Sequence, residues 1–139
     1  MLDLGSLAKA VSALDAVLAK SEDSTFMRTL DATARNAVRA GVIQHFEFTY
    51  ELCWKFMKRW LGSNLSPSAV DGISRRQLFR LAAENHLITE IEPWMRYHAG
   101  RNLVAHTYIP EVAAQVYELI PAFAANAAAL LRALEQRND

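Results

Sequence analysis

Hydrophobic residues recur every three or four positions along most of the chain, and polar or Gly/Pro-containing segments interrupt them. This spacing is typical of α-helices, and no segment alternates as a β-strand would. Short loops between apolar helices favour antiparallel neighbours. The sequence therefore predicts an all-α fold, an antiparallel up-and-down four-helix bundle with an additional short helix, in a single domain over 1–139. The predicted helices span about 4–20, 31–62, 74–86, 90–107 and 110–136.

Local signals predict where two of these helices end or begin. Gly62 is expected to end the second helix, because glycine readily adopts the left-handed geometry found just beyond helix C-termini. Pro67 and Gly72 then predict a loop. Ser74 and Gln77 have the S-x-x-Q spacing of a capping box, which predicts the start of the third helix.

The second helix is apolar on more than one side, over the segment FEFTYELCWKFMKRWL. A peripheral helix of a small monomer needs only one buried stripe. Two stripes indicate either a thick bundle core or a face that meets a partner subunit. Glu51 and Lys55, between the stripes, have the i,i+4 spacing of a favourable ion pair. The first stripe contains Phe46, Tyr50, Trp54, Met57 and Leu61, and the second contains Phe48, Leu52 and Phe56.

The composition is that of a globular protein, with 52% hydrophobic and 22% charged residues. Cys53 is the only cysteine, so an intrachain disulfide or a CxxC zinc site is excluded. We interpret it as a small buried hydrophobe. The chain shows no signal-peptide pattern and no apolar run of about 18 residues, so a cytoplasmic protein without a membrane partner is expected.

Fifteen basic and fifteen acidic residues cancel, which leaves no overall field to attract nucleic acid, and no DNA partner is expected. The segment 55–101 nevertheless carries an excess of Lys and Arg over Asp and Glu. This excess would form a positive patch if the side chains share a face, or would be dispersed over the surface.

The stretch RNLVAHTY, residues 101–108, holds the side chains best suited to chemistry. On an ideal helix Arg101 and Tyr108 share one face, and Asn102 and His106 share another. Arg101 and His106 then point about 140° apart. They converge only if the helix unwinds near His106, if the Arg side chain wraps round, or if a second subunit supplies one of them. The plainer alternative makes Arg101 an ion-pair residue and His106 a residue that stabilises the helix dipole.

The chemistry available to this set is definite. A histidine with a pKa near neutrality can take the proton of a ribose 2′-hydroxyl or give one to a leaving oxygen. Arg101 can hold a phosphate and stabilise charge in the transition state, and Asn102 can orient the imidazole. Such a set cleaves RNA without a metal, or simply binds a nucleotide phosphate. HExxH, Walker, GxGxxG and G-x-S-x-G patterns are absent, so no metal or cofactor is predicted.

These residues resemble a known family. RNLVAHTY is similar to the R-x4-H-x-Y signature of HEPN-domain proteins. FEFTYELCWKFMKRWL resembles the helix that marks their nucleotidyltransferase substrate-binding subgroup, and the resemblance covers about 31–135. It places the chain with the HepT-like toxins of MNT/HEPN toxin–antitoxin pairs, in which MNT is a minimal nucleotidyltransferase.

The resemblance implies a homodimer, formed through the bundle faces, that brings both R-x4-H motifs to the interface. It implies a metal-independent endoribonuclease toxin of a type VII system, which cleaves RNA by transesterification. Its MNT antitoxin would neutralise it by AMPylating the motif tyrosine. Carried onto this chain, Arg101 would bind the scissile phosphate and His106 would be the acid and base. Asn102 would be the accompanying polar residue, and Tyr108 would be the modified residue.

Two other functions remain open from the sequence. The chain could be a non-catalytic nucleotide- or substrate-binding subunit of a two-component nucleotidyltransferase. It could also be an unrelated helical interaction protein. The full set of Arg101, Asn102, His106 and Tyr108 favours the enzyme, since a pure adaptor does not require all four.

Overall fold

The computed structural model describes residues 1–105 and 109–138. These residues form seven α-helices and contain no β-strand. The predicted all-α class is confirmed, and each of the five predicted helices is present. Two short helices, α2 and α4, lie between the longer ones. The helices are α1 (Gly5–Glu22), α2 (Ser24–Arg28), α3 (Ala32–Asn64), α4 (Pro67–Val70), α5 (Arg75–Glu84), α6 (Ile91–Ala105) and α7 (Pro110–Gln136).

Helices α1 and α7 run antiparallel along each other. Leu2, just before α1, exchanges two backbone-to-side-chain hydrogen bonds with Asn138, just after α7, both at 2.8 Å. Near the other end of α1, Ser21 Oγ accepts a hydrogen bond from Tyr117 Oη, in the first half of α7. The start of one helix therefore lies beside the end of the other.

Helix α3 runs parallel to α7. Phe46 packs edge-on against Phe123, and about one turn before the end of α3 the Trp60 indole donates to the backbone oxygen of Arg137. From the first contact to the second, the residue numbers rise on both helices, so the two helices run in the same direction. Because the helices α1 and α7 are antiparallel, α1 and α3 also run in opposite directions.

Helix α6 runs antiparallel to α7 and completes the up-and-down order α1, α3, α6, α7. Asn126 Nδ2 donates to Tyr97 Oη at 2.6 Å, and Gly100, later in α6, faces the earlier Leu119. A Cβ at Gly100 would lie 3.1 Å from Leu119 Cδ1. Glycine therefore lets the two helices approach closely next to Arg101.

Phe123 of α7 lies at the centre of an aromatic core. Its ring centroid is 5.0 Å from that of Phe46 and 5.1 Å from that of Tyr97, both edge-to-face. Trp94 and Tyr50 complete the cluster at 5.9 and 6.4 Å. All five are buried, and edge-to-face aromatic pairs add to the energy of area burial.

The two apolar stripes of α3 have different environments. The first is buried apart from the half-buried Trp54, as expected for a bundle core. Of the second, Phe56 is buried, Leu52 is half-buried and Phe48 is 64% exposed. A thick core therefore explains Phe56 but leaves Phe48 and Leu52 on an open surface. Cys53 is fully buried, which confirms its interpretation as a small hydrophobe.

The second helix ends within the expected Gly62-Ser63-Asn64 segment, but the prediction that Gly62 is its C-cap is wrong. Helix α3 continues to Asn64, whose side-chain Nδ2 donates to the Trp60 carbonyl at 2.9 Å, and Leu65 N–H bonds the Leu61 carbonyl. The Trp60 and Leu61 carbonyls are thus bonded without a left-handed glycine. Gly62 lies within the last turn of the helix, where an added Cβ would make an ordinary contact with Val70 Cγ2 of α4 at 3.4 Å.

The predicted loop around Pro67 contains the short helix α4, with Ser66 as its N-cap and Pro67 in its first turn. The capping box of Ser74 and Gln77 at the start of α5 is confirmed in both directions. Helix α5 ends in left-handed geometry at His86, with φ 62°.

Helix α7 is the one described helix long and apolar enough in composition to cross a membrane, with a mean hydropathy of 1.2 over its best window. A core helix of a globular bundle meets the same criterion. Its apolar side packs on the other helices through residues such as Val116, Ile120, Phe123 and Leu130.

Candidate functional site

The predicted site residues are described only in part. Arg101 and Asn102 lie near the end of α6, whereas His106 and Tyr108 lie outside the described residues. The convergence of Arg101 with His106, and the face that Arg101 was expected to share with Tyr108, therefore stay predictions. What the structure does show is the environment of Arg101 and Asn102.

Arg101 is held by α3 through Glu51. Its Nε lies 2.9 Å from Glu51 Oε1, an ion pair that is not aligned as a hydrogen bond, and both side chains are about one-third exposed or less. The other carboxylate oxygen, Oε2, accepts a 3.0 Å hydrogen bond from Trp54 Nε1. Glu51 was expected to pair with Lys55, but the Lys55 ammonium instead lies 5.7 Å from the Trp54 ring centroid.

Asn102 connects Arg101 to a histidine one turn earlier on α6. Arg101 Nη1 donates to Asn102 Oδ1 over 3.5 Å, and Asn102 Nδ2 lies 3.4 Å from His98 Nε2. On its other side, His98 Nδ1 lies 2.8 Å from Tyr50 Oη, at the edge of the aromatic core. Asn102, expected to orient His106, thus has His98 and Arg101 as its described partners.

These contacts have one mutually consistent polarity. If Asn102 Nδ2–H donates to His98 Nε2, then the neutral imidazole carries its proton on Nδ1 and donates it to Tyr50 Oη. Asn102 Oδ1 is then free to accept from Arg101. A proton added to His98 Nε2 would point at the Asn102 amide N–H groups, and Asn102 Nδ2 could then no longer donate to Nε2.

The electrostatic environment favours neutral His98. Burial lowers the pKa of its imidazole, and the nearby Arg75 and Arg101 charges lower it further, while Glu51 opposes them. Burial likewise raises the pKa of the Tyr50 hydroxyl well above its usual value, so the phenol stays protonated.

Arg75, the first residue of α5, joins this cluster through the Trp54 side chain. Its guanidinium carbon lies 3.6 Å from the centroid of the Trp54 ring, a close cation–π stack. Burial and the Arg101 charge lower the pKa of Arg75. Three helices, α3, α5 and α6, therefore bring two arginines, a neutral histidine and a tryptophan together.

Arg101 also lines an open groove of about 380 Å³. Exposed Phe48 and half-buried Leu52 supply its apolar lining, and Glu47 and Glu51 supply carboxylates. Burial raises the pKa of Glu47, and Arg101 partly offsets this rise. Arg101 thus lines this groove, and through Glu51 it is also linked to Trp54, on which Arg75 stacks.

Sequence reasoning missed His98, Arg75 and the role of Glu51. The signal for Glu51 was available, because Tyr50, Glu51 and Trp54 all belong to the FEFTYELCWKFMKRWL segment that carried the family resemblance. A carboxylate beside the apolar stripes of a core helix needs a hydrogen-bonding or charged partner, and this need was the signal for Glu51. His98 and Arg75 carried no comparable pattern.

The basic excess of 55–101 is divided between the site and the rest of the surface. Lys55, Arg75 and Arg101 lie around Trp54 and Glu51, whereas Arg76 forms an exposed ion pair with Glu92. Away from the site, Arg59 stacks on Phe56 at 5.0 Å. Only part of the excess therefore forms a local positive patch.

Comparisons with known proteins cover almost the whole chain. Residues 2–136 match the family described as nucleotidyltransferase substrate binding protein like. A Haemophilus influenzae protein named "Probable ribonuclease HepT" is 32% identical in an alignment of 139 positions, which covers 99% of this chain and 95% of that protein.

Two solved structures have the same arrangement of helices. One, from Haemophilus influenzae, is described as revealing the fold of a substrate binding domain of a nucleotidyltransferase. It superposes with a TM-score of 0.91 at 30% identity, covering 96% of this chain and 99% of that one. A Thermus thermophilus protein superposes with a TM-score of 0.63 at 25% identity, covering 87% and 98%.

Proposed function

This chain belongs to the nucleotidyltransferase substrate binding protein like family, and we propose that it is a HEPN-type, metal-independent endoribonuclease. The HepT-like resemblance seen in the sequence is confirmed by the family match and by the full-length relative. The name of that relative, a ribonuclease, supports the proposed activity.

The observation that carries the proposal is the anchoring of Arg101. Glu51 approaches its Nε, and Asn102 accepts from Nη1 over a long contact. A guanidinium has five N–H donors, so this arrangement orients the group while leaving donors for a phosphate. An arginine that served only as a surface ion pair would need neither the Trp54 brace on Glu51 nor the Asn102 contact.

The proposed reaction is transesterification. His106 takes the proton of a ribose 2′-hydroxyl, whose oxygen attacks the adjacent phosphorus. The bond from phosphorus to the 5′-oxygen breaks, and that oxygen receives a proton from a histidine. Arg101 stabilises the charge that develops on the phosphoryl oxygens. The products are a 2′,3′-cyclic phosphate and a 5′-hydroxyl, and no metal is needed.

A homodimer would supply the second histidine and remove the 140° separation of Arg101 and His106. Exposed Phe48 and Leu103 support such an interface, since large apolar side chains on an open surface favour a partner. In this proposal two copies meet along α3 and α6 and present one shared cleft to RNA.

We further propose that the chain acts in the cytoplasm as the toxin of a type VII pair. Its MNT antitoxin would transfer AMP to Tyr108 and so place anionic phosphate near Arg101. The matched family and the Haemophilus structure are both described in terms of nucleotidyltransferases, which supports such a partner.

Purified chain incubated with RNA in EDTA tests the activity. Wild type should release fragments ending in 2′,3′-cyclic phosphate, and His106→Ala and Arg101→Ala should not, at unchanged thermal stability. Equal cleavage by wild type and His106→Ala would contradict the proposal.

For Tyr108, co-expression with an MNT should add AMP-sized mass to the peptide that contains it, and Tyr108→Phe should prevent this.

The alternative is a non-catalytic nucleotide- or substrate-binding subunit of a two-component nucleotidyltransferase. The family description favours it, and so does the net charge of zero, which gives no general attraction to RNA. Under this alternative the chain binds nucleotide at Arg101 and shows no RNA cleavage, while the activity of the joined nucleotidyltransferase depends on Arg101.

A further inference from the structure

Arg75 occupies a position that its described contacts do not explain. It is half-buried with its guanidinium stacked on Trp54, and its Nε is shielded from solvent. Within residues 1–105 and 109–138 that Nε makes no hydrogen bond, and Arg75 forms no ion pair. A buried donor of this kind is costly unless something bonds to it.

The charges that face Arg75 make its position less favourable still. Helix α6 presents Arg101, a second cation, and neutral His98. Helix α3 presents Glu51, whose two oxygens already contact Arg101 and Trp54. Among the described residues, Glu51 is therefore the carboxylate that acts on Arg75, and both of its oxygens are already engaged.

We propose that Arg75, braced by Trp54, is a second phosphate-binding subsite, which holds an RNA phosphate next to the one held by Arg101. This rests on the proposed function, because the ligand is the strand that Arg101 would cleave. An anion there would offset the repulsion between the two arginines and supply a hydrogen-bond partner. Stacking on Trp54 fixes the plane of the guanidinium, as bidentate phosphate binding requires.

The ligand class follows from the geometry of the cluster. A strand that places its scissile phosphate at Arg101 carries further phosphates along a regular chain, so a neighbouring cation on the same face meets the next one. A protein carboxylate would satisfy Arg75 alone and would not need its proximity to Arg101.

The test is binding of a short oligoribonucleotide in which every 2′-hydroxyl is methylated, so that it cannot be cleaved. Its affinity for wild type, Arg75→Gln and Arg76→Gln is measured by fluorescence anisotropy at several salt concentrations. Arg76 is the matched control, because it is the next residue of α5 but pairs with Glu92 on the exposed side. Each substitution removes one positive charge.

Arg75→Gln should bind the oligonucleotide about tenfold more weakly, the usual effect of losing a hydrogen bond to a charged group. The slope of log affinity against log salt should fall by about 0.7, as for one lost phosphate contact on a single strand. Arg76→Gln should bind as wild type does. Arg75→Lys keeps the charge but loses the planar stack, and it should fall between the two.

Equal affinities of wild type and Arg75→Gln would overturn the subsite, and so would failure of wild type to bind. Thermal unfolding of each variant ensures that the comparison is between folded proteins, and Arg75→Lys decides the question if Arg75→Gln does not fold. Failure of the ribonuclease proposal is a separate result. Arg75-dependent binding without cleavage of ordinary RNA would leave the subsite standing and favour the substrate-binding alternative.

Discussion

The aromatic core around Phe123 and the polar cluster around Arg101 meet at one residue, Tyr50. Its ring packs in the core, whereas its hydroxyl contacts His98 in the cluster. The core is closed, fully buried and apolar. The cluster is half-open, contains two nearby cations and has a donor without a described partner. One region is thus organised for stability and the other keeps unsatisfied groups, which is the pattern expected of a binding site.

The largest effect should come from emptying the core. Phe123→Ala removes the ring that contacts the other four core aromatics and should lower the free energy of unfolding by about 3–5 kcal/mol. Chemical denaturation measures this. Phe48→Ala removes the same kind of ring from the exposed surface. Measured at a concentration low enough for the chain to be monomeric, it should change the free energy of unfolding by less than about 0.5 kcal/mol. Equal losses would mean that Phe48 is buried in solution.

The next effect concerns the anchor of Arg101. Glu51→Gln weakens the contact that orients the guanidinium, so kcat for RNA cleavage should fall about tenfold, with KM unchanged or lower. Glu47→Gln is the control, since it removes a nearby carboxylate that makes no described contact with Arg101. Steady-state kinetics compares the two, and an equal fall in kcat would show that only charge matters.

A smaller effect should come from removing the hydroxyl of a tyrosine, and it should differ between the two regions. Tyr50→Phe and Tyr97→Phe each keep a core ring and lose a hydroxyl contact, to His98 and to Asn126 respectively. Each should lower the unfolding free energy by about 1 kcal/mol. Only Tyr50→Phe should also reduce cleavage, because only its hydroxyl contacts the polar cluster. A matching loss of activity in Tyr97→Phe would remove the distinction.

The smallest effect is the pH dependence contributed by His98. Its pKa is lowered in the folded chain, below the ordinary histidine value of 6.5. As pH falls through 6.5, the unfolded chain therefore binds a proton at this histidine while the folded chain does not. Stability is therefore unaffected above 6.5 and lost below it, until the folded imidazole also protonates. His98→Gln should flatten this part of the curve when unfolding is measured on both sides of pH 6.5. An unchanged curve would show that other groups cause it.

Much of the fold could be predicted from local signals. The three-to-four-residue spacing located all five longer helices, and the Ser74 capping box placed the start of α5 correctly. Gly62 misled the prediction because a glycine near a helix end need not be its cap, and here the helix continues for two more residues. The extent of the chain as a single domain stays a prediction.

The candidate site was predicted less completely. Arg101 and Asn102 were identified, and their described surroundings fit a phosphate site, whereas the roles given to His106 and Tyr108 stay predictions. Glu51 had two possible cations, and its helical neighbour Lys55 was the wrong choice. Arg101, fifty residues away in the chain, became the partner because α6 packs beside α3.

The sequence by itself determined the five longer helices, the apolar stripes of the second and the family, because these depend on residue types at short, regular spacing. The tertiary structure decided which polar side chains meet: Glu51 with Arg101, Tyr50 with His98, and Arg75 with Trp54. Such pairs join residues more than 20 positions apart, and no local periodicity encodes them. They form because packing of the apolar faces places α3, α5 and α6 side by side.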